Sequence, residues 1–475
     1  QLWSDGWSEK IIRNYFNKYY NRFYLFDERY PFYQVANLLS KEDDQKLGME
    51  YSPIVKLILD KASGNNPTLW DHNTDDQKNF ISLSTAVRWL VTQQTFNLGG
   101  TKSDPKDRTS SDAPTARNMH ILIHGKNLFE TLMYNLCIYN IEAGKPLKIN
   151  DQFLDDKPCW EQDLGFESHQ KQVLGYLDYM TWQPCWLKLK YNTTNPDKVQ
   201  EVLIGNGYRF KLPSEDILWP DPLCMYYKKN DKTAKKNKTG WGTYSIKRDR
   251  AVWRDLDAMF VSNVQSSGNS GLKANEIIHP AAFNLFGNLL KDGYDLPQIN
   301  LLSFHIYGIA PESGHNKVYL WRHEIYSVPL EFLTKSDETE TALLISNFKK
   351  CIKETEYISK ALIRSLRILT AEDKDDETNS TNSIKGKNSS KEGDPEENQR
   401  LFRNALSVYW AHLSLTVHEL LRNLPENRQQ AIIEWENEVK KAAFNALNYA
   451  SQGYENSGQS LKQVALAEIE LCKSF

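Results

Sequence analysis

Residues 22–36 read RFYLFDERYPFYQVA, and this stretch places six aromatic residues around the charged triplet Asp27-Glu28-Arg29. Pro31 separates Tyr30 from Phe32. A surface loop would not normally carry so much apolar area. A regular helix would not run into a proline, because proline disfavours helical geometry at the residue before it. The stretch is therefore neither an ordinary surface loop nor a regular helix.

The composition outside this stretch is that of a globular protein with 475 residues, which predicts two or three domains and a large core. The formal net charge is only -3, so any binding of a polyanion must come from local patches. Six cysteines are scattered without a CxxC pair, which argues against a zinc ribbon or a disulfide framework and favours a reducing cytoplasm.

The lengths of the apolar runs bear on the cellular location of the protein. No apolar run approaches the roughly 20 residues that a membrane span needs, so we expect a cytoplasmic protein without a membrane partner. The chain begins at Gln1 inside a helical pattern of apolar residues. We therefore expect that native residues precede Gln1.

The pattern of apolar residues divides the chain in two. Residues 1–333 mix short helical segments with strand-like runs, which predicts a large mixed α+β N-terminal globular domain. Residues 334–475 contain four segments with apolar residues at helical spacing, which predicts an antiparallel four-helix bundle. Within it, residues 371–399 have no aromatic residue and only Ile384 as a sizeable aliphatic side chain, so we expect a flexible loop there.

Residues for catalysis are not apparent. The ten histidines do not cluster in sequence, and His120 and His124 share one face of the strand-like HILIH run without an acidic neighbour. There is no GxxxxGK[ST], GxGxxG or GxSxG motif. We expect no catalytic residue, no metal and no cofactor. The alternative is a metal-dependent nucleic-acid hydrolase that uses His120, His124 and nearby acids.

Three segments instead indicate recognition surfaces. Lys228–Arg250 carries nine Lys/Arg against two Asp, which suits phosphates but also a solvated hairpin tip. Gln93–Gly100 ends a helical segment with two glycines, which allow close backbone approach to a ligand or simply end the helix. Gly314–Glu324 is a turn that leads into a strand-like run and has the pattern of a plain hairpin.

Together these pieces resemble the CasA family, the large subunits of the type I-E CRISPR Cascade surveillance complex. The resemblance covers nearly the whole chain and depends on the order of motifs that are individually weak. The segments that carry it are RFYLFDERYPFYQ, STAVRWLVTQQTFNLGG, ARNMHILIHGKNLFETLMYNL, YMTWQPCWLKL, LWPDP, HNKVYLWRHE and the four C-terminal helical segments.

The resemblance implies a non-catalytic subunit for antiviral defence. Such a subunit contacts the protospacer-adjacent motif (PAM) of double-stranded DNA from the minor groove and starts strand separation for R-loop formation. Base pairing with the guide RNA then selects the rest of the target. The resemblance also implies that Phe26, Phe32 and Tyr33 are core residues. A cysteine cluster that some members carry is replaced here, so zinc is not expected.

The resemblance assigns particular residues to these contacts. It implies a PAM-contacting glycine loop at Asn97, Leu98, Gly99 and Gly100. It implies a basic finger at Arg209, with Lys211 as the alternative. It implies a wedge at His315, with Asn316 beside it. It implies further nucleic-acid and complex contacts at Trp70, His72, Lys228 and Lys229. Its expected partners are the guide RNA and the other Cascade subunits, including the small subunits, with target DNA and a helicase-nuclease.

Overall fold

The structure is a computed structural model that describes residues 2–46, 48–61, 79–101, 109–136, 148–149, 152–153, 155–163, 170–211, 221–228, 241–260, 277–280, 282–283, 300–311, 318–333, 338–371, 395–452 and 458–475. Its contacts group the chain into two compact units. Unit 1 comprises Gln1–Arg248, Gly271–Asn284 and His305–Glu324. Unit 2 comprises Asp249–Ser270, Leu285–Phe304 and Ile325–Phe475.

The described residues combine helices with short strands, as expected for a mixed fold. The α-helices are α1 (Leu2–Asp5), α2 (Glu9–Lys18), α3 (Leu83–Phe96), α4 (Leu128–Tyr134), α5 (Tyr176–Met180), α6 (Glu338–Leu369), α7 (Pro395–Glu426), α8 (Arg428–Ser451) and α9 (Gly458–Cys472). The 3-10 helices are Tyr20–Phe23, Ile54–Leu57, Cys159–Glu161, Val252–Ala258 and Leu330–Phe332. Over the described ranges, no helix has both the length and the apolar character to span a membrane.

The strands are β1 (Ser52–Pro53), β2 (Ile81–Ser82), β3 (Gly100–Thr101), β4 (Thr109–Ser110), β5 (His120–His124), β6 (Lys148–Ile149), β7 (Gln152–Phe153), β8 (Gln170–Gln172), β9 (Cys185–Leu189), β10 (Lys198–Val199), β11 (Glu201–Asn206), β12 (Arg209–Lys211), β13 (Tyr226–Lys228), β14 (Trp241–Thr243), β15 (Ile277–Ile278), β16 (Leu301–Pro311) and β17 (Val318–Pro329). They form small sheets with the orders β1-β11-β9, β14-β13-β15 and β17-β16-β5, and pairs β10-β2, β12-β8, β3-β4 and β6-β7.

The stretch 22–36 attaches to strand β9 in unit 1. The Val35 amide donates a hydrogen bond to the Leu187 carbonyl oxygen over 2.9 Å. The buried Gln34 side chain accepts a bond from the Leu189 amide over 2.7 Å. These bonds satisfy polar backbone groups of β9 that its partner strand β11 does not reach, so the irregular stretch completes the sheet.

Tyr33 is the buried ring of this stretch, as expected, with 9% of its surface exposed. The Gln34 amide donates to the Pro31 carbonyl oxygen over 3.0 Å and closes a turn in which Tyr33 has a φ of +54°. A bulky residue rarely adopts this conformation, so burial of the ring must offset the strain. Phe26 and Phe32 are only half-buried, because they pack on the rim of the same core.

Three C-terminal helices of unit 2 meet at one buried threonine. Thr355 of α6 is 0% exposed. Its carbonyl oxygen accepts a hydrogen bond from the Tyr409 hydroxyl of α7 over 2.9 Å. Its hydroxyl accepts one from Trp435 Nε1 of α8 over 3.1 Å. Because all three partners are buried, these polar contacts fix the register of the helices relative to one another.

The contacts of unit 2 also include residues that precede position 334. The Phe260 ring centroid lies 4.4 Å from that of Phe332 and 5.6 Å from that of Phe348 on α6. Arg254 forms an ion pair with Glu356 over 2.6 Å. The contacts therefore group residues differently from a single division at 333, and that domain boundary stays a prediction.

The prediction of a flexible loop over residues 371–399 is wrong at its C-terminal end. Helix α7 begins at Pro395, so residues 395–399 are helical. Proline suits the first position of a helix because no intrahelical partner is lost there, and the acidic residue Glu396 complements the helix dipole. Residues 372–394 lie outside the described residues.

Candidate nucleic-acid interface

Helix α3 positions the glycine loop, which we define as Asn97, Leu98, Gly99 and Gly100. Near the end of the helix, the buried Gln94 side chain forms two hydrogen bonds with the backbone of Cys185 on β9. Its Nε2 donates to the carbonyl oxygen over 2.9 Å, and its Oε1 accepts from the amide over 3.2 Å. The end of α3 is thereby fixed to the sheet that carries the stretch 22–36.

The glycine loop is anchored to the segment after β4. The Gly99 amide donates to Asp112 Oδ1 over 2.6 Å, and Arg117 Nε donates to Asp112 Oδ2 over 2.5 Å. The Ala113 amide donates to the Asn97 carbonyl oxygen over 2.8 Å. A charged acceptor strengthens such bonds, so the Asp112 carboxylate holds the loop backbone in a defined conformation.

The two glycines do not act as an ordinary helix end. Asn97 is the C-cap of α3, so the position that a left-handed glycine usually occupies belongs to Leu98. Gly100 instead begins β3, pairs with Ser110 and has a φ of +143°. Side chains rarely tolerate this φ, so the strand that leaves the loop requires glycine at position 100.

Leu98 joins the glycine loop to the strands that carry the expected wedge. Its side chain is 5% exposed and packs in a cluster with Ile309 of β16 and Val318 of β17. These strands flank residues 312–317, which include His315 and Asn316. The wedge positions lie outside the described residues. The strand residues that flank them, Ile309 and Val318, pack against Leu98 of the loop.

Arg209 begins strand β12 and is half-buried. The neighbouring Phe210 ring packs edge-on against Trp182, with centroids 5.3 Å apart. Three residues earlier, Asn206 pairs with Cys185, the residue that Gln94 holds. The start of β12 and the end of α3 are therefore connected through one residue pair of β9 and β11.

The alternative finger, Lys211, ends the same strand. Positions 209 and 211 are two residues apart, so the backbone places them on the same face of β12. The strand geometry therefore favours neither residue as the finger. Lys228 ends β13, and only its backbone is described. Trp70, His72 and Lys229 lie outside the described residues.

His120 and His124 share a face of β5 but have separate neighbours. The His120 ring packs edge-on against Phe96, with centroids 5.6 Å apart. The His124 ring stacks on His305 at 3.5 Å. His305 Nδ1 lies 3.0 Å from His323 Nε2. The two histidines of the HILIH run therefore do not converge on one metal ion, contrary to the hydrolase alternative.

The cluster of His124, His305 and His323 was not apparent from the sequence. Its members lie on β5, β16 and β17, and only the order β17-β16-β5 brings them together. Burial lowers the pKa of His124 and His305, and the neighbouring imidazoles lower both further. Both rings therefore favour the neutral form, which suits stacking and hydrogen bonding rather than phosphate neutralisation. The alternation of residues in LLSFHIYGIAP was the available signal that His305 and Tyr307 share a face.

Known proteins resemble this chain over most of its length. The sequence profile described as CRISPR-associated protein Cse1 matches residues 1–446. CRISPR-associated protein CasA/Cse1 of Thermus thermophilus is 28% identical over 366 residues, which cover 75% of this chain and 61% of that protein. The chain thus spans less than two thirds of this relative's length.

Two solved structures illustrate the similarity of the fold. The structure of Thermus thermophilus CasA (Cse1) matches with a TM-score of 0.71 at 22% identity, over 100% of this chain and 84% of that chain. A chain of a CRISPR RNA-guided surveillance complex matches with a TM-score of 0.67 at 16% identity, over 99% of this chain and 84% of that chain. At these identities the matches establish a shared fold.

Proposed function

The chain belongs to the CRISPR-associated Cse1 family, and we propose that it is the non-catalytic large subunit of an RNA-guided Cascade surveillance complex. The similarity of its fold to a chain of such a complex supports this role. The separate surroundings of His120 and His124 also favour recognition over metal-dependent hydrolysis. The partners that follow are guide RNA, the other Cascade subunits, target double-stranded DNA and a helicase-nuclease.

We propose that the glycine loop recognises the PAM from the minor groove. The observation that carries this is the anchoring of Gly99 by Asp112, because it fixes the backbone that leads into the half-buried Gly100, which without a side chain can approach base edges closely. The minor groove is about 6 Å wide and mainly distinguishes A·T from G·C pairs. Backbone contacts there suit a reader that accepts several related motifs.

The packing of Leu98 against Ile309 and Val318 suggests how recognition is coupled to strand separation. The glycine loop shares one cluster with Ile309 near the end of β16 and Val318 at the start of β17, so a duplex held by the loop lies near these strand ends. We propose that His315 or Asn316, in the segment between these strands, acts as the wedge. Wedges that unstack a base step cost a few kcal/mol, which contacts to the bound duplex must offset.

The remaining assignments complete this proposal. We propose that the C-terminal helices α6, α7, α8 and α9 form an antiparallel four-helix bundle that contacts target DNA and the small subunits, and that the subunit helps to recruit the helicase-nuclease. Trp70, His72, Lys228 and Lys229 are proposed contacts to nucleic acid and the complex.

The finger assignment gives the experiment. Arg209→Ala should weaken binding of the assembled complex to target DNA by about 1–3 kcal/mol if the residue contacts a base, and Lys211→Ala should weaken it less. Affinities are measured at several salt concentrations, because loss of a phosphate contact alone reduces the salt dependence. The reverse order of effects would assign the finger to Lys211. Wild-type affinity in both variants, with the complex assembled, would refute a finger on β12.

A further inference from the structure

The start of β5 brings together three buried side chains that are far apart in the sequence. His120 forms an antiparallel bridge with Cys224, and the Ile121 amide donates to the Leu223 carbonyl oxygen over 2.8 Å. One ligand atom each from His120, Asp221 and Cys224 lies within 4.8 Å of the others. Their exposed fractions are 7%, 6% and 0%. They form a compact set of nitrogen, oxygen and sulfur donors shielded from water.

The imidazole of His120 is oriented for an acceptor role at Nδ1. The backbone carbonyl of Tyr307 accepts a hydrogen bond from this ring. Within the described part of the chain, Nδ1 is buried and has no hydrogen-bond partner. The bond to Tyr307 therefore belongs to Nε2, which leaves the lone pair on Nδ1. A histidine that donates one N–H to a backbone carbonyl and presents its other nitrogen is the usual arrangement of a metal ligand.

The Asp221 carboxylate is held in place from two sides. The Leu223 amide donates to Asp221 Oδ1 over 2.8 Å. The Tyr179 hydroxyl also forms a hydrogen bond with this side chain. Both bonds orient the carboxylate, and such supporting contacts typically accompany ligating carboxylates.

The Cys224 thiol completes the set. Burial, and then the charge of Asp221, raise the pKa of Cys224 well above its ordinary value. Without an ion the thiol therefore stays protonated and donates to Asp221. This hydrogen bond leaves the lone pair of His120 Nδ1 unused, and an unsatisfied buried acceptor costs about 1–3 kcal/mol.

We propose that His120 Nδ1, Cys224 Sγ and an Asp221 carboxylate oxygen bind a divalent transition-metal ion, with zinc favoured by this donor set. A tetrahedral zinc ion with bonds of about 2.0–2.3 Å places its ligand atoms roughly 3.4–3.6 Å apart, so small side-chain movements suffice. The thiolate and the carboxylate together neutralise the ion, which removes the cost of a buried net charge.

This site differs from the sequence expectation that the chain binds no metal. His120 and Cys224 are about 100 positions apart in the sequence, and no CxxC or HxxxH spacing with a neighbouring acid indicates a metal site that contains them. Metal binding at this site would join the start of β5 to the segment after Pro220, so its expected effect is stabilisation of unit 1.

The experiment uses the full chain, stripped of metal with a chelator and then loaded with zinc chloride or cobalt chloride. We expect about one zinc per chain by elemental analysis and a higher melting temperature than for the stripped chain. Cobalt should give a thiolate-to-metal charge-transfer band in the near ultraviolet. Because Cys224 must lose its proton, zinc affinity should rise about tenfold per pH unit below the thiol pKa.

Variants distinguish metal binding at this site from metal binding by other side chains. Cys224→Ser should abolish the cobalt–thiolate band, and Asp221→Asn should weaken zinc binding at least tenfold. His124→Gln, on the same strand face, and Cys472→Ser, at an exposed thiol, should bind as the wild type does. If the core variants do not fold, the wild-type cobalt spectrum decides. Background zinc content after loading, absence of the thiolate band in the wild type, or an unchanged band in folded Cys224→Ser would overturn the proposal.

Discussion

The anchoring of the glycine loop predicts the effect of Asp112→Ala. The substitution removes the acceptor of the buried Gly99 amide, and a hydrogen bond to a charged acceptor contributes about 1.5–3 kcal/mol. The substitution also removes the ion pair between Asp112 and Arg117. The Arg117 and Asp112 side chains are 41% and 35% exposed, so this ion pair contributes only about 0–1 kcal/mol. The local free energy that closes the loop should therefore fall by about 1.5–4 kcal/mol.

Hydrogen–deuterium exchange of the Gly99 amide measures this local free energy. A loss of about 1.5–4 kcal/mol corresponds to exchange roughly 10- to 700-fold faster. Asp112→Asn retains an acceptor oxygen without the charge and should give a smaller increase. Asp60→Ala, at an exposed carboxylate of unit 1, is the control and should leave exchange unchanged. Wild-type exchange at Gly99 in folded Asp112→Ala would refute the argument that this carboxylate holds the loop.

Further predictions concern backbone strain, the linker and pH. Gly100→Ala should lower the free energy of unfolding in urea by about 1–3 kcal/mol because its φ of +143° strains a side chain, and an effect below about 0.5 kcal/mol would contradict this. Replacing residues 372–394 with a Gly/Ser linker of half the length should change that free energy by less than about 1 kcal/mol, since loop length enters logarithmically; a large drop in melting temperature would show a structural role. The folded-state pKa values of His124 and His305 are lowered, so the unfolded state binds more protons below about pH 6.5 and stability should fall on acidification. Replacing both with glutamine should reduce the loss between pH 7.5 and pH 5.5, and an equal loss would argue against their contribution.

Local patterns in the sequence predicted the parts of the fold that depend on neighbouring residues. The C-terminal helices follow from apolar residues at helical spacing, and the burial of Tyr33 agrees with the resemblance of the stretch 22–36. The polar segment before α7 was assigned wrongly at residues 395–399. Acidic residues beside a proline are typical both of flexible segments and of the first turn of a helix, so composition alone did not locate the start at Pro395.

Contacts between distant strands could not be predicted in this way. His305 and His323 reach His124 only because β16 lies between β5 and β17. In the same way, the approach of His120 to Cys224 depends on a single bridge between two segments. A one-residue change in strand register would place either set on opposite faces, and sequence spacing does not specify register between distant strands.

The most direct test of the proposed function compares complexes with and without this chain. The complex is assembled with guide RNA, and its affinity is measured at one salt concentration on two target duplexes that differ only in the PAM, which is first selected from a randomised library. With this chain present, the correct motif should bind at least about fivefold more tightly, as expected for a mismatch cost of about 1–3 kcal/mol per base pair. Without the chain the ratio of affinities should approach one. An unchanged ratio after omission of the chain would contradict its role in PAM recognition.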